Sequence, residues 1–298
     1  MALFKAKIVR GLFMMFMAIS VAMPLKAQSD SITAENSSCD IIRPVMSAYT
    51  IEAGGSNLAD TYLSPIKYSG WALGLRYERM QAMKFNPENW IMKLTADIHL
   101  DRTLNKVGNA TMWYAGVAFE WGMTRRYSIT PSLTLGYGGS ASLNAGCLYT
   151  QRNGNNPASA KAALTLNLTG FAAWSLKVGS LPVTLIYQPV LPVTGIFFSP
   201  DYGELYYEIF LGNHTGLVHP AWWGNYFSLN NRLTADLHFG STSLRIGYAC
   251  NILSTKVSNI TTRMVTNEAI LGISGEWISL NPRKSLSKKA KIIRAAWK

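Results

Sequence analysis

No stretch after Met23 is apolar for long enough to cross a bilayer as a helix, since a charge or a glycine interrupts every later run. Cysteine is nearly absent. Cys39, Cys147 and Cys250 are too few and too far apart for a disulfide framework or a zinc site. Cys147 and Cys250 fall on apolar strand faces and read as small hydrophobes. Histidine occurs four times, and the residues two positions on are Asp101, Gly216, Ala221 and Gly240. The His-x-Ser pair used by a barrel-shaped phospholipase is therefore missing, and no enzyme is expected. Charge is sparse at 15% of residues and unevenly placed. Of the formal +12, Lys5, Lys7, Arg10 and Lys26 carry four. Arg283, Lys284, Lys288, Lys289, Lys291, Arg294 and Lys298 carry seven more. The body between them holds 17 basic and 16 acidic residues, so it is almost neutral and nucleic acid is not expected as a partner.

The N-terminus has the layout of an export signal, with a basic start, an apolar run from Gly11 to Met23 and a small residue at Ala27. Residues 1–27 are assigned to it. The chain then alternates. Trp113, Ala115, Val117, Phe119, Trp121 and Met123 share one face, while Tyr114, Gly116, Ala118, Glu120, Gly122 and Thr124 share the other. Period two is strand geometry, because successive side chains point to opposite sides. After Arg125-Arg126 the rhythm restarts through Tyr127, Leu133, Leu135 and Tyr137. Strands of this length, bracketed by tryptophans, suit an apolar membrane band between aromatic girdles.

The pattern recurs to Trp277, and twelve strands are counted. They begin near Val45, Trp71, Trp90, Trp113, Tyr127, Leu143, Leu164, Leu181, Tyr206, Phe227, Leu244 and Val265. The expectation is an all-β, antiparallel, up-and-down transmembrane barrel over residues 28–280, followed by a basic tail over 281–298. A closed barrel is the only spanning alternative to helices, because every backbone polar group must be paired in lipid. An even strand count puts both ends of the barrel in the periplasm, with the cell outer membrane as the location. Pro189 to Leu205 breaks the alternation and is rich in proline and apolar residues, so an inward plug is predicted there.

Parity places polar residues in the lumen. Arg76, Glu78, Lys93, Glu120, Arg232, Arg245 and Glu276 are the lumen charges, with Glu52, Asp97, Asp101, Asp236 and Lys177 beside them. Mixed signs favour pairing across a narrow or plugged interior over the like-charge rings of a selective pore. The echo Leu94-Thr95-Ala96-Asp97-Ile98-His99 and Leu233-Thr234-Ala235-Asp236-Leu237-His238 offers two candidate pairs, Asp97/His99 and Asp236/His238. Carboxylate with imidazole is metal or proton-relay chemistry, but the two pairs stand on distant strands. No metal or cofactor is expected.

Three segments carry a resemblance: Asp60-Thr61-Tyr62-Leu63-Ser64-Pro65, Asn155-Asn156-Pro157-Ala158, and Phe198-Ser199-Pro200 followed by Tyr206-Tyr207-Glu208-Ile209-Phe210. Together they resemble an uncharacterised domain-of-unknown-function family of exported proteins from Gram-negative gut anaerobes. Its members are predicted outer-membrane barrels. The resemblance implies fold and location, with no chemistry, and reaches to about Trp277. Members commonly end near the last strand, whereas this chain continues into its basic tail. The expected function is a structural or interaction barrel with a narrow or plugged lumen. A small-solute channel and a lipid-modifying enzyme are the alternatives. The expected partners are outer-membrane lipid and, through the tail, an anionic surface or peptidoglycan.

Overall fold

A computed structural model describes residues 41–154, 156–200, 206–212, 216–277 and 291–295. The export signal lies outside these residues, as does most of the tail. Ten long strands close into an antiparallel barrel: β2 (Val45–Asp60), β3 (Ser64–Ala82), β4 (Trp90–Asn105), β5 (Thr111–Ser128), β6 (Leu133–Thr150), β7 (Ala158–Val178), β8 (Leu181–Phe198), β10 (Tyr226–Phe239), β11 (Thr242–Val257) and β12 (Ile260–Trp277). Each pairs with the next, β8 pairs with β10, and β12 returns to β2 with Trp277 opposite Val45. Three short elements complete the set: β1 (Ile41–Ile42), β9 (Val218–Ala221) and β13 (Lys291–Ile292). A five-residue helix, α1 (Tyr206–Phe210), lies in the connection after β8.

Ten strands replace the twelve expected, for two local reasons. Arg125-Arg126 is not a turn, because β5 runs through it and the chain reverses at residues 129–132. There Thr130 Oγ1 accepts from the Leu133 amide at 3.0 Å. Gly138-Gly139-Ser140 then stays in strand, so the expected fifth and sixth strands are one, β6. Glycine is needed at 138, since a Cβ would come within 2.0 Å of the Met123 carbonyl on β5. The ninth expected strand is instead α1, joining the loop end of β8 to β9.

The predicted plug is also corrected. Pro189 to Phe198 continue β8, with Asn231 opposite Pro189 and a register shift against β7 beside Asn167. The shift accommodates prolines that cannot donate to a ladder. Residues 201–205 lie outside the described set.

The barrel is inside-out relative to a water-soluble core. Tyr49, Ile51, Leu73, Leu75, Ile98, Phe119, Leu164, Leu166, Leu168 and Leu271 face outward and are exposed. Thr95, Asp101, Thr165, Asp236, Arg245 and Glu268 face inward and are buried. Aromatic residues flank the apolar belt. Trp71 and Trp113 meet edge-to-face at 6.3 Å on one side, and Tyr127 stacks on Tyr137 at 5.3 Å on the other. Two-residue links Gly179-Ser180 and Gly240-Ser241 turn tightly at the end where β2 begins and β12 finishes, the terminal end. In each, glycine supplies the left-handed φ, 64° and 70° respectively. The opposite, loop end holds α1 and β9. No described helix is long and apolar enough to cross a membrane, which leaves strand-wise crossing untouched.

Candidate functional site

Alternation brings the charged residues of eight barrel strands into one lumen, where they pair in layers. Nearest the terminal end, Arg245 on β11 grips Asp236 on β10 through two bonds of 2.7 and 2.8 Å. Its third nitrogen donates to Glu78 on β3 at 2.9 Å. Ser274 also donates to Asp236 at 3.2 Å. In the next layer Arg232 on β10 makes a two-pronged contact with Glu52 on β2, at 2.7 and 2.9 Å. Arg76 donates to Asp97 at 2.7 Å, and Lys93 lies 3.9 Å from Glu120. Fork-shaped guanidinium–carboxylate pairs are the strongest of their kind. Burial makes them obligatory, because either charge left alone would be stranded away from water.

Above these layers His99 stands between two carboxylates. Its Nε2 is 3.3 Å from Asp101 Oδ1 and 3.3 Å from Glu268 Oε1, aligned for a hydrogen bond with neither. The second oxygen of Asp101 accepts from Ser56 at 2.6 Å, and that of Glu268 accepts from Asn251 at 3.4 Å. Gly74 opposite His99 leaves room for the ring, since a Cβ there would reach Nδ1 at 3.0 Å. A cavity of about 220 Å³ opens beside this cluster, with His99, Asp101, Tyr114, Arg232, Asn251 and Met264 in its wall.

At both ends of the lumen described side chains meet inside the barrel. At the loop end Lys161 on β7 reaches Asp60 on β2 at 2.7 Å, with Leu58, Leu63, Tyr68, Met112 and Leu148 packed around the pair's level. At the terminal end the stopper comes from the tail. Ala295 is buried in one cluster with Met46, Met80 and Ile91 of β2, β3 and β4 and with Phe171 and Ala173 of β7. The strand members of this cluster are buried on the inward faces of β2, β3, β4 and β7, so Ala295 is buried at the terminal-end mouth of the lumen. Around it, β13 pairs with β1, Ile293 donates its amide to the Ile42 carbonyl at 2.8 Å, and Arg126 donates to the Arg294 carbonyl at 2.7 Å. Lys291 bonds Glu88, and Arg294 lies 3.3 Å from Glu276. The Lys291 bond holds the Glu88 carboxyl below the usual carboxylate range.

Asp97 goes to Arg76 and Asp236 to Arg245, while His238 sits between the hydroxyls of Thr184 at 2.8 Å and Ser243 at 2.6 Å. His99 meets Asp101 and Glu268 instead. Sequence reasoning missed Glu268, although parity along β12 would have turned it inward. It also missed Asp60 and Lys161, which lay beyond the strands it drew, and the Ala295 stopper, which no periodicity announces. Among the described residues no group of three His, Cys, Asp or Glu side chains is placed to hold a metal ion.

A family described as "Protein of unknown function (DUF3316)" matches residues 12–284. The chain belongs to the DUF3316 family. That agrees with the resemblance carried by the Asp60–Pro65, Asn155–Ala158 and Phe198–Pro200 segments. No curated protein matches the sequence. Among solved structures, this DUF3316 chain is similar to the outer membrane protease OmpT from Escherichia coli. Identity there is 7%, the coverage is 78% of this chain and 97% of that one, and the TM-score is 0.47. It is also similar to the translocator domain of autotransporter NalP from Neisseria meningitidis, at 11% identity, 79% and 88% coverage and a TM-score of 0.39. The P. putida toluene transporter TodX follows at 7% identity, 80% and 90% coverage and 0.28. At such values no activity carries over from these proteins, and the barrel rests on its own strand pairings.

Proposed function

We propose that this DUF3316 protein is an outer-membrane barrel with a closed lumen, serving as a structural or interaction barrel and not as a diffusion pore. The observation that supports this reading most is the cross-lumen pairing of Arg245 with Glu78 and of Arg232 with Glu52, between strands that are not neighbours. At these two layers the wall charges hold one another across the lumen, so a passing ion would have to displace an existing buried partner. The outer membrane is the proposed location because the exposed belt is apolar and its strands are long. Lipid is then the partner of that belt. Density-gradient fractionation of cells tests the location. Co-migration with outer-membrane vesicles supports it, and recovery as a detergent-free periplasmic monomer refutes it.

A further inference from the structure

The stopper is built from the same residues that give the tail its charge. Of the seven basic residues after Leu280, Lys291 and Arg294 are held by the barrel's own carboxylates, Glu88 and Glu276. Both pairs are open to water: the side chains of Lys291 and Glu88 are 57% and 60% exposed, those of Arg294 and Glu276 45% and 24%. Exposed pairs of this kind are weak and screened by salt. Among the described residues the seat consists of a two-residue bridge to β1, the Ile293 and Arg294 backbone bonds and the buried Ile293 and Ala295 side chains. Set against it is the entropy of ordering a chain end. The balance is close enough for a competing anion to tip it.

We propose that residues 291–295 are a releasable stopper, and that an anionic bilayer surface withdraws it from the barrel by competing with Glu88 and Glu276 for Lys291 and Arg294. The sequence favours a bilayer over a saccharide polymer as the competitor. Residues 283–298 carry no acidic group and interleave their basic residues with Ile292, Ile293 and Trp297. Cations with aliphatic and indole side chains suit an anionic lipid interface, where apolar groups enter the headgroup boundary. The position is right too. The Tyr127–Tyr137 stack and Trp277 mark the terminal-end edge of the apolar belt, at the level of the stopper. Withdrawal would open the Met46, Met80 and Phe171 seat at the terminal-end mouth, while the charge-paired layers deeper in the lumen stay in place. This inference rests on the barrel lying in a membrane.

Disulfide trapping tests it in the full chain. In a background with Cys39, Cys147 and Cys250 changed to Ser, Met46→Cys with Ala295→Cys reports the seated state, and Met80→Cys with Ala295→Cys is the second pair. In detergent micelles and in phosphatidylcholine nanodiscs, mild oxidation is expected to link them in protein whose heat-modifiable migration shows an intact barrel. In phosphatidylglycerol nanodiscs the yield is expected to fall several-fold. Glu88→Gln with Glu276→Gln is expected to lower it in phosphatidylcholine as well. Equal yields in both lipids, or indifference to the Glu88 and Glu276 changes, overturn the release. No link from either pair overturns the seat. A fall caused by soluble peptidoglycan fragments and not by phosphatidylglycerol overturns the bilayer as competitor. Failure of the membrane reading looks different: the links form in micelles while the protein does not enter nanodiscs.

Discussion

Arg245 and Glu78 meet at 2.9 Å although their strands, β11 and β3, are separated in the ring by β12 and β2. The contact crosses the lumen, and Asp236 takes the other two guanidinium nitrogens. Removing Glu78 leaves Arg245 one carboxylate short in a buried setting, while removing Arg245 strands two. Breaking a buried pair typically costs about 3–5 kcal/mol. Glu78→Ala is expected to cost toward the low end of that range and Arg245→Ala toward the high end or beyond, by urea unfolding in micelles. The triple change Arg245→Met, Glu78→Leu, Asp236→Leu should recover much of the loss, since no charge is left stranded.

Outward and inward positions one residue apart should respond in opposite ways. Phe119→Arg puts a cation on the exposed belt midway along β5 and is expected to cost about 2–4 kcal/mol. Glu120→Arg turns inward beside Lys93 and acts through the lumen pairs. Its loss should be relieved by Lys93→Glu, whereas the loss from Phe119→Arg should not. Refolding yields into vesicles, measured for the two single and the two double variants, check this.

The strand pattern was legible where side chains alternate against lipid, as along β3, β4, β5, β7 and β10. It failed where glycine and arginine mimic a turn. Gly138 is small because β5 approaches closely, and Arg125 and Arg126 stand at the rim, where Arg125 lies over the Tyr127 ring and Arg126 binds carbonyls of residues 87, 88 and 294. Local sequence does not separate a rim arginine from a turn arginine. The inward set around Arg76, Glu78, Lys93, Arg232 and Arg245 follows from parity alone, but partner choice does not. Which carboxylate each arginine finds depends on strand stagger around the closed ring, and a strand count two too high misplaces every cross-lumen neighbour. Proline misled in the same way. Pro189 and Pro192 were read as leaving the sheet, and β8 keeps them through a register shift.

The His99 cluster makes a prediction by compensation. His99→Ala leaves Asp101 and Glu268 facing each other without the imidazole between them, and among the described residues neither has a Lys or Arg within ion-pair distance. A loss of stability is expected by urea unfolding in micelles. Adding Asp101→Asn and Glu268→Gln should restore most of it. If the triple variant is no more stable than His99→Ala, the loss comes from the void left by the ring.

Acid should loosen the stopper. Glu88 carries a carboxyl depressed by its bond to Lys291, so it favours the seated tail above the ordinary carboxylate range. That contribution is lost as the pH falls through the depressed value. Protection of the Ile293 amide, corrected for intrinsic exchange, should therefore hold at neutral pH and decline in acid. In Glu88→Gln it should be low throughout and flatter with pH. A wild-type profile identical to that of Glu88→Gln would remove Glu88 from the seat.

Single-channel recording of the refolded wild-type chain in planar bilayers tests the closed lumen most directly. With Arg245 and Arg232 paired across the interior and Ala295 seated in neutral phosphatidylcholine, the expected trace has no discrete steps above baseline. Insertion is verified separately by heat-modifiable migration of protein recovered from the same vesicles. Steady, uniform open steps from verified, inserted protein in neutral lipid would contradict the account.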